Sequence, residues 1–158
     1  EGLIALDGNL TQGLLAQIAT SPLFSKSDLR IAPASPGKAE RLLPLLGHKG
    51  ATLYVNLEEA ELLCQQSFSD AQLAAQSLVA RGSNRVLVTH GPKDAVLADA
   101  TGCVKAAPPA VLASRVTGAG DTFMAAHIAA ELLGLRSVAA LQYASNAAAA
   151  YVSGKSEG

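Results

Sequence analysis

The sequence predicts an α/β fold: a mostly parallel sheet covered by helices, with an antiparallel hairpin at one edge. Three observations carry this expectation. Over residues 1–90, short apolar runs alternate with stretches of helical periodicity, a pattern that implies parallel strands joined by helical crossovers. Between residues 85 and 107, β-branched runs are separated by tight glycine-containing turns, as in hairpins. The chain is 49% hydrophobic but only 4% aromatic, and rich in Ala and Leu, a composition suited to helices pressed closely on a sheet.

The elements follow in order. Leu3 to Leu6 is a short apolar strand ending in the loop Asp7-Gly8-Asn9. Thr11 is placed to cap a helix to about Thr20, with Leu14, Leu15 and Ile18 on one face. Leu29 to Ala32 reads as a strand, Pro33 to Gly37 as a loop and Lys38 to Leu46 as a helix. Ala51 to Val55 is a strand. Asn56 caps a helix from Leu57 to about Cys64, with Glu58, Glu59 and Glu61 near its positive end. Ser69 is expected to cap the next helix, which runs to about Ala80 and stops near Gly82. Arg85 to Thr89 is a β-branched strand, and Ala95 to Ala98 and Val104 to Ala107 form hairpin strands. Pro108 and Pro109 break the chain. Gly118 to Leu133 and Ser137 to Val152 are helices separated by Gly134.

All 158 residues suit one domain with a real core. The net charge is −1 with charges scattered, so nucleic-acid binding by phosphate neutralisation is not expected. The most apolar window, Phe123 to Leu135, is interrupted by His127, Glu131 and Gly134 and is too short to span a bilayer. The chain opens Glu-Gly-Leu-Ile-Ala without a basic leader region. Cys64 and Cys103 fit no metal spacing and are expected to be reduced and buried, pointing to the cytoplasm. His48, His90 and His127 are dispersed, and none is assigned a chemical role.

The richest segment is Val116-Thr-Gly-Ala-Gly-Asp-Thr-Phe123. Two glycines at a helix start let the backbone approach an anion closely. The free N–H groups of the first turn, aided by the helix dipole, would face it. An acid there, Asp121, would repel phosphate unless it has a task such as taking a proton from an attacking hydroxyl. Together these residues point to phosphoryl transfer. The competing reading is a glycine-containing helix start with Asp121 complementing the dipole. The loops at Asn56, Gly91 and Gly118 are expected to follow strand carboxyl ends and converge on one cleft. Rival phosphate motifs fail: Lys38 follows Gly37, but no glycine stands five residues earlier, and Gly118-x-Gly120 continues to Phe123 rather than Gly.

Thr117-Gly-Ala-Gly-Asp121-Thr-Phe resembles the C-terminal signature of the ribokinase-like (PfkB) carbohydrate kinases. The resemblance implies a three-layer α/β/α fold, ATP and Mg²⁺ as cofactors, and Asp121 as the catalytic base. It implies an anion hole of the Gly118, Ala119 and Gly120 amides, with Thr117, Gly118 and Gly120 in the nucleotide site. Asn56-Leu-Glu-Glu59 resembles the family's Asn-x-x-Glu near metal and phosphates, although an N-cap followed by dipole-complementing acids is an equal reading of those residues alone. Val86-Leu-Val-Thr-His-Gly91 resembles the strand-then-glycine segment near the nucleotide, which brings in Thr89 and Gly91, while Ala95 stands where a second glycine is often found. Asn146, in an Asn-Ala-Ala-Ala run, resembles the segment flanking adenine.

The resemblance covers the C-terminal half of a family member; the N-terminal half, which supplies most sugar contacts and a lid, is not in this chain. The sugar or nucleoside would therefore be a partner of the complete enzyme, and the chain alone is expected to transfer phosphate poorly or not at all. Within the family, Asp7-Gly-Asn9, Ser35-Pro-Gly-Lys38 and Thr52-Leu-Tyr-Val-Asn56-Leu-Glu-Glu59-Ala resemble pseudouridine kinases. There are departures. Ala32 and Val55 stand where relatives have Asp and Pro. Arg115 replaces an Asp tied to a monovalent-cation site, which argues against potassium activation. Two other readings stay open: a nucleotide-binding module without catalysis, and a self-associating structural remnant, since apolar surface left bare promotes association.

Overall fold

The computed structural model describes residues 2–154 as a six-stranded sheet with helices on both faces. The strands are β1 (Leu3–Asp7), β2 (Asp28–Ala32), β3 (Ala51–Asn56), β4 (Arg85–His90), β5 (Lys93–Asp99) and β6 (Gly102–Ala106), in that spatial order. β1 to β4 are parallel, while β5 and β6 pair antiparallel at one edge. β6 therefore runs in the same direction as β1 to β4, and Asp7, Ala32, Asn56, His90 and Ala106 all end at one edge of the sheet.

The helices are α1 (Gln12–Thr20), α2 (Leu57–Cys64), α3 (Ala71–Ala80), α4 (Ala119–Leu132) and α5 (Ser137–Val152). α1, α2 and α3 bury Leu15, Ala60, Leu63, Ala71, Ala74, Ala75 and Leu78 against Leu29, Ile31, Leu53, Val55, Val86 and Val88 of the strands. α4 and α5 pack on each other and on the opposite face, where Phe123, Leu141 and Ala144 meet Tyr54, Leu87 and Leu97. The period-2 alternation of β3 and β4 accounts for the two clusters, since successive side chains serve opposite layers. Alanine at the contact points lets the helices sit close to the sheet.

Three local expectations are corrected. The segment expected as an α-helix over Lys38 to Leu46 is a 3₁₀ helix, Pro36–Leu45. Pro36 and Pro44 remove donors, and Pro44 cannot accommodate the carbonyl four residues back. The cap of α3 is Asp70 rather than Ser69: the Asp70 carboxylate accepts from the Leu73 N–H at 2.9 Å. Cys64 is buried as expected, but Cys103 is only partly so; both are free thiols. Among the described residues, no helix is long and apolar enough to cross a membrane.

Candidate active site

The carboxyl edge of the sheet gathers most of the residues singled out in the sequence. Asn56 ends β3 directly opposite Thr89 of β4. A register irregularity between Val88 and His90 ends the regular β4–β5 pairing there, and Gly91 takes φ +52° in the turn that follows. Asn56 also forms a capping box: its Oδ1 accepts from the Glu59 N–H at 2.8 Å, and Glu59 Oε1 accepts from the Asn56 N–H at 2.9 Å. The capping reading of these two residues is thus realised in full. It leaves Glu59 Oε2 and the Asn56 amide nitrogen for other partners.

Gly118 begins α4 with φ +92°. A Cβ there would lie 2.5 Å from the Tyr151 hydroxyl, so both backbone and space call for glycine. The Gly118 carbonyl accepts from the N–H and the hydroxyl of Thr122, each at 3.0 Å, and the Ala119 N–H donates to the Val116 carbonyl at 3.1 Å. Among the described residues, none accepts from the Gly118, Gly120 or Asp121 N–H. These are the orphan donors of a helix start. Gly120 and Asp121 are exposed.

Burial raises the Glu59 carboxyl pKa, the Asn56 N–H opposes that rise, and the charges of Glu58 and Asp121 add to it. Among the described residues, neither Glu59 nor Asp121 forms an ion pair, and no group of three or more His, Cys, Asp or Glu residues could hold a metal by itself. Asn146 is exposed on α5; its Oδ1 accepts from Gln142 at 2.9 Å rather than from another site residue.

The same edge holds residues quoted for motif likeness but not assigned a role. The Asp7 carboxylate accepts from the Asn9 N–H at 2.8 Å, Lys38 Nζ donates to Asn9 Oδ1, and Arg41 donates to the Gly8 carbonyl at 2.9 Å. Gly8 touches the Pro33 loop so closely that a Cβ would meet the Pro33 carbonyl at 2.4 Å.

At the opposite edge lies a buried ionic cluster. Glu131 of α4 pairs with Arg30 of β2 at 2.7 Å and with Arg85 of β4 at 2.7 and 2.9 Å. Arg30 also pairs with Asp28 at 2.6 Å and donates to the Tyr54 hydroxyl at 2.9 Å. That hydroxyl is 2.7 Å from Nδ1 of His127, which is wholly buried. Burial would raise the Glu131 carboxyl, but the two arginines bring it down to about 2. Burial holds the His127 imidazole down at about 4, with Arg85 and Arg30 adding to the effect against Glu131. Burial pushes the Tyr54 phenol up to about 12, partly offset by Arg30.

The molecule is thus an α/β protein whose mostly parallel sheet carries, toward its carboxyl edge, a glycine-containing helix start and an exposed acid. Residues 6–158 match the model of the pfkB family carbohydrate kinases, and the chain belongs to that family of phosphotransferases. It is similar to the ATP-dependent 6-phosphofructokinase isozyme 2 of Escherichia coli, 27% identical over 130 residues, covering 78% of this chain and 42% of that protein. A solved carbohydrate kinase from Agrobacterium tumefaciens superposes with TM-score 0.77 at 27% identity, covering 93% of this chain and 46% of the other. The adenosine kinase from Schistosoma mansoni in complex with 2-fluoroadenosine shares the fold, with TM-score 0.76 at 18% identity over 96% of this chain and 50% of that one. The fold is therefore ribokinase-like, and the chain spans about half the length of the relatives it matches.

Proposed function

We propose that this chain is the nucleotide-binding portion of an ATP-dependent kinase that phosphorylates a hydroxyl of a sugar or nucleoside. The observation that carries this reading is the Gly118–Asp121 turn, with unsatisfied N–H donors at Gly118 and Gly120 beside an exposed carboxylate at a helix start. In this reading Asp121 accepts the proton of the attacking hydroxyl. The amides of Gly118 and Gly120 stabilise the transferring phosphoryl group, joined by Ala119 when its N–H leaves Val116. Thr89, Gly91, Thr117 and Asn146 line the nucleotide. Asn56 and Glu59 would hold a hydrated Mg²⁺, which supplies charge neutralisation for the phosphates. A soluble cytoplasmic setting accords with such a reaction.

Pseudouridine is the acceptor we favour, on the strength of Asp7-x-Asn9, Lys38 and the Thr52–Ala60 segment. Asn9, which Lys38 contacts, and Asn56 stand at the same edge of the sheet, where an acceptor of that reading would lie. Acceptors named for relatives differ, so the choice is tested by competition among pseudouridine, adenosine and fructose 6-phosphate once the remaining half is supplied.

Calorimetric titration with ATP–Mg²⁺ and ADP tests the nucleotide reading. Saturable binding to wild type and to Asp121→Asn is the expected result, with turnover of the completed enzyme lost only in the variant. Binding without transfer to any acceptor in the completed enzyme would leave a nucleotide module. No binding at millimolar nucleotide would leave a structural remnant. Leu3 on β1 and Leu132 on α4 are exposed beside the outer edge of β1, which among the described residues pairs with β2 alone, and in that case they would pack against a second copy.

A further inference from the structure

We propose that Arg115 and Tyr151 are positioning residues that latch the phosphate-binding turn to the end of α5, with the Arg115 guanidinium serving as a built-in cation at that junction. The proposal rests on the nucleotide reading for its functional consequence, but its geometry stands without it.

Helix α5 ends at Val152, and its last carbonyls need partners. Ala149 accepts from the Ser153 N–H at 3.0 Å and Ala150 from the Ser153 hydroxyl at 2.8 Å. The remaining two are taken up by the segment that leads into Gly118. The Val152 carbonyl accepts from the Ser114 N–H at 2.8 Å, the Ser114 hydroxyl at 3.1 Å and the Arg115 N–H at 3.2 Å. The Tyr151 carbonyl accepts from Arg115 Nε at 2.7 Å as well as from the Gly154 N–H at 3.1 Å. The guanidinium thus sits at the negative end of the helix dipole, where a cation is favoured.

The Tyr151 side chain extends the same junction. Arg115 lies over its ring at 4.0 Å from the centroid, a cation–π contact. Its hydroxyl donates to the Thr117 carbonyl at 2.6 Å. That hydroxyl also fills the space where a Gly118 side chain would stand. Segment 107–117 has no regular structure of its own, so these contacts tie its final residues to a regular element. They fix where the Gly118 and Gly120 donors point, and a fixed donor is what phosphate binding requires.

A monovalent ion at this junction would compete with a guanidinium already bonded to the Tyr151 carbonyl, and the Val152 carbonyl already accepts from three donors. The latch therefore works without potassium.

Hydrogen exchange across residues 114–121 in the nucleotide-free chain, together with ADP–Mg²⁺ affinity and Tm, tests the proposal in wild type, Tyr151→Phe and Arg115→Ala. Each substitution is expected to speed exchange in that segment and to weaken ADP binding by about fivefold, the equivalent of one hydrogen bond. Tm should move little, because both residues lie at a solvent-facing junction. The double variant should fall short of the sum, since the two contacts share one ring. Exchanging sodium for potassium at fixed ionic strength should leave wild-type exchange unchanged. Unaltered exchange in both single variants, or potassium-dependent slowing in wild type, would overturn the latch. A wild-type chain that binds no ADP would overturn its functional role, while exchange still decides the latch itself.

Discussion

Helix α4 has two ends with opposite surroundings. Its start, Gly118 to Asp121, lies at the carboxyl edge of the sheet with N–H donors and a carboxylate left open. Its other end carries Glu131, clasped by Arg30 and Arg85, and His127, sealed against Tyr54. One end is held and the other is presented. A site that must meet a ligand cannot satisfy its own donors, so the rigidity it needs comes from elsewhere along the same element. The ionic cluster ties α4 to three strands at once, and the contacts at Tyr151 tether the loop before Gly118.

The largest effect distinguishing the two ends concerns chemistry. In the chain completed by an N-terminal portion, Asp121→Asn is expected to reduce phosphoryl transfer by about 100- to 10,000-fold, the range for a general base, with unchanged Tm. Steady-state kinetics beside a thermal melt checks this; retained turnover would remove Asp121 from the base role.

At the other end the expected effect is on stability. Glu131→Ala leaves two arginines facing each other without their shared carboxylate, a loss of about 3–5 kcal/mol. Urea denaturation measures it. A loss under about 1 kcal/mol would mean that solvent reaches the cluster and screens it.

The same cluster sets an acid limit. The folded chain holds His127 neutral down to about pH 4, whereas the unfolded chain takes up that proton near 6.5. Stability is therefore complete above about pH 6.5 and declines as pH falls toward 4. Glu131, held at about 2 against an ordinary 4.5, extends the loss from about 4.5 downward. The His127 contribution reaches about 3 kcal/mol. Melts from pH 7 to 4 should show this slope in wild type and a flatter one in His127→Gln; parallel slopes would clear His127 of the effect.

The smallest effect returns to the open end. Gly118→Ala forces a side chain into a left-handed backbone and against the Tyr151 hydroxyl, costing about 1–2 kcal/mol. The accompanying loss of nucleotide affinity should exceed that of an Ala substitution at Gly134, which has open space around it.

How much of this was legible in the sequence follows from range. The strand–helix alternation, the Asn56 cap and the Gly118 helix start are written in residues a few positions apart, where propensity and capping act. The 3₁₀ course of Pro36–Leu45 was hidden because apolar spacing suited an α-helix while Pro44 forbade one. The ionic cluster was not legible: Arg30, Arg85 and Glu131 are far apart in the chain, and only the register of β2, β3 and β4 brings them under one helix. Glu131 read instead as an interruption in an apolar window. Tyr151 likewise looked like any residue near a helix end until α5 returned beside α4. Of the site residues, the Asn56–Thr89 pairing follows from strand register, whereas Asn146 stayed a motif likeness because an exposed helix position carries little local signal.

In the proposed function the Gly118 end of α4 receives phosphate, while the Glu131 end only holds the helix in place. Amide chemical-shift mapping of the chain during ADP–Mg²⁺ titration tests it most directly. Saturable shifts are expected at Gly118, Gly120 and Asp121, with near silence at His127 and Glu131. No shift at the glycines, or shifts of equal size at both ends, would contradict it.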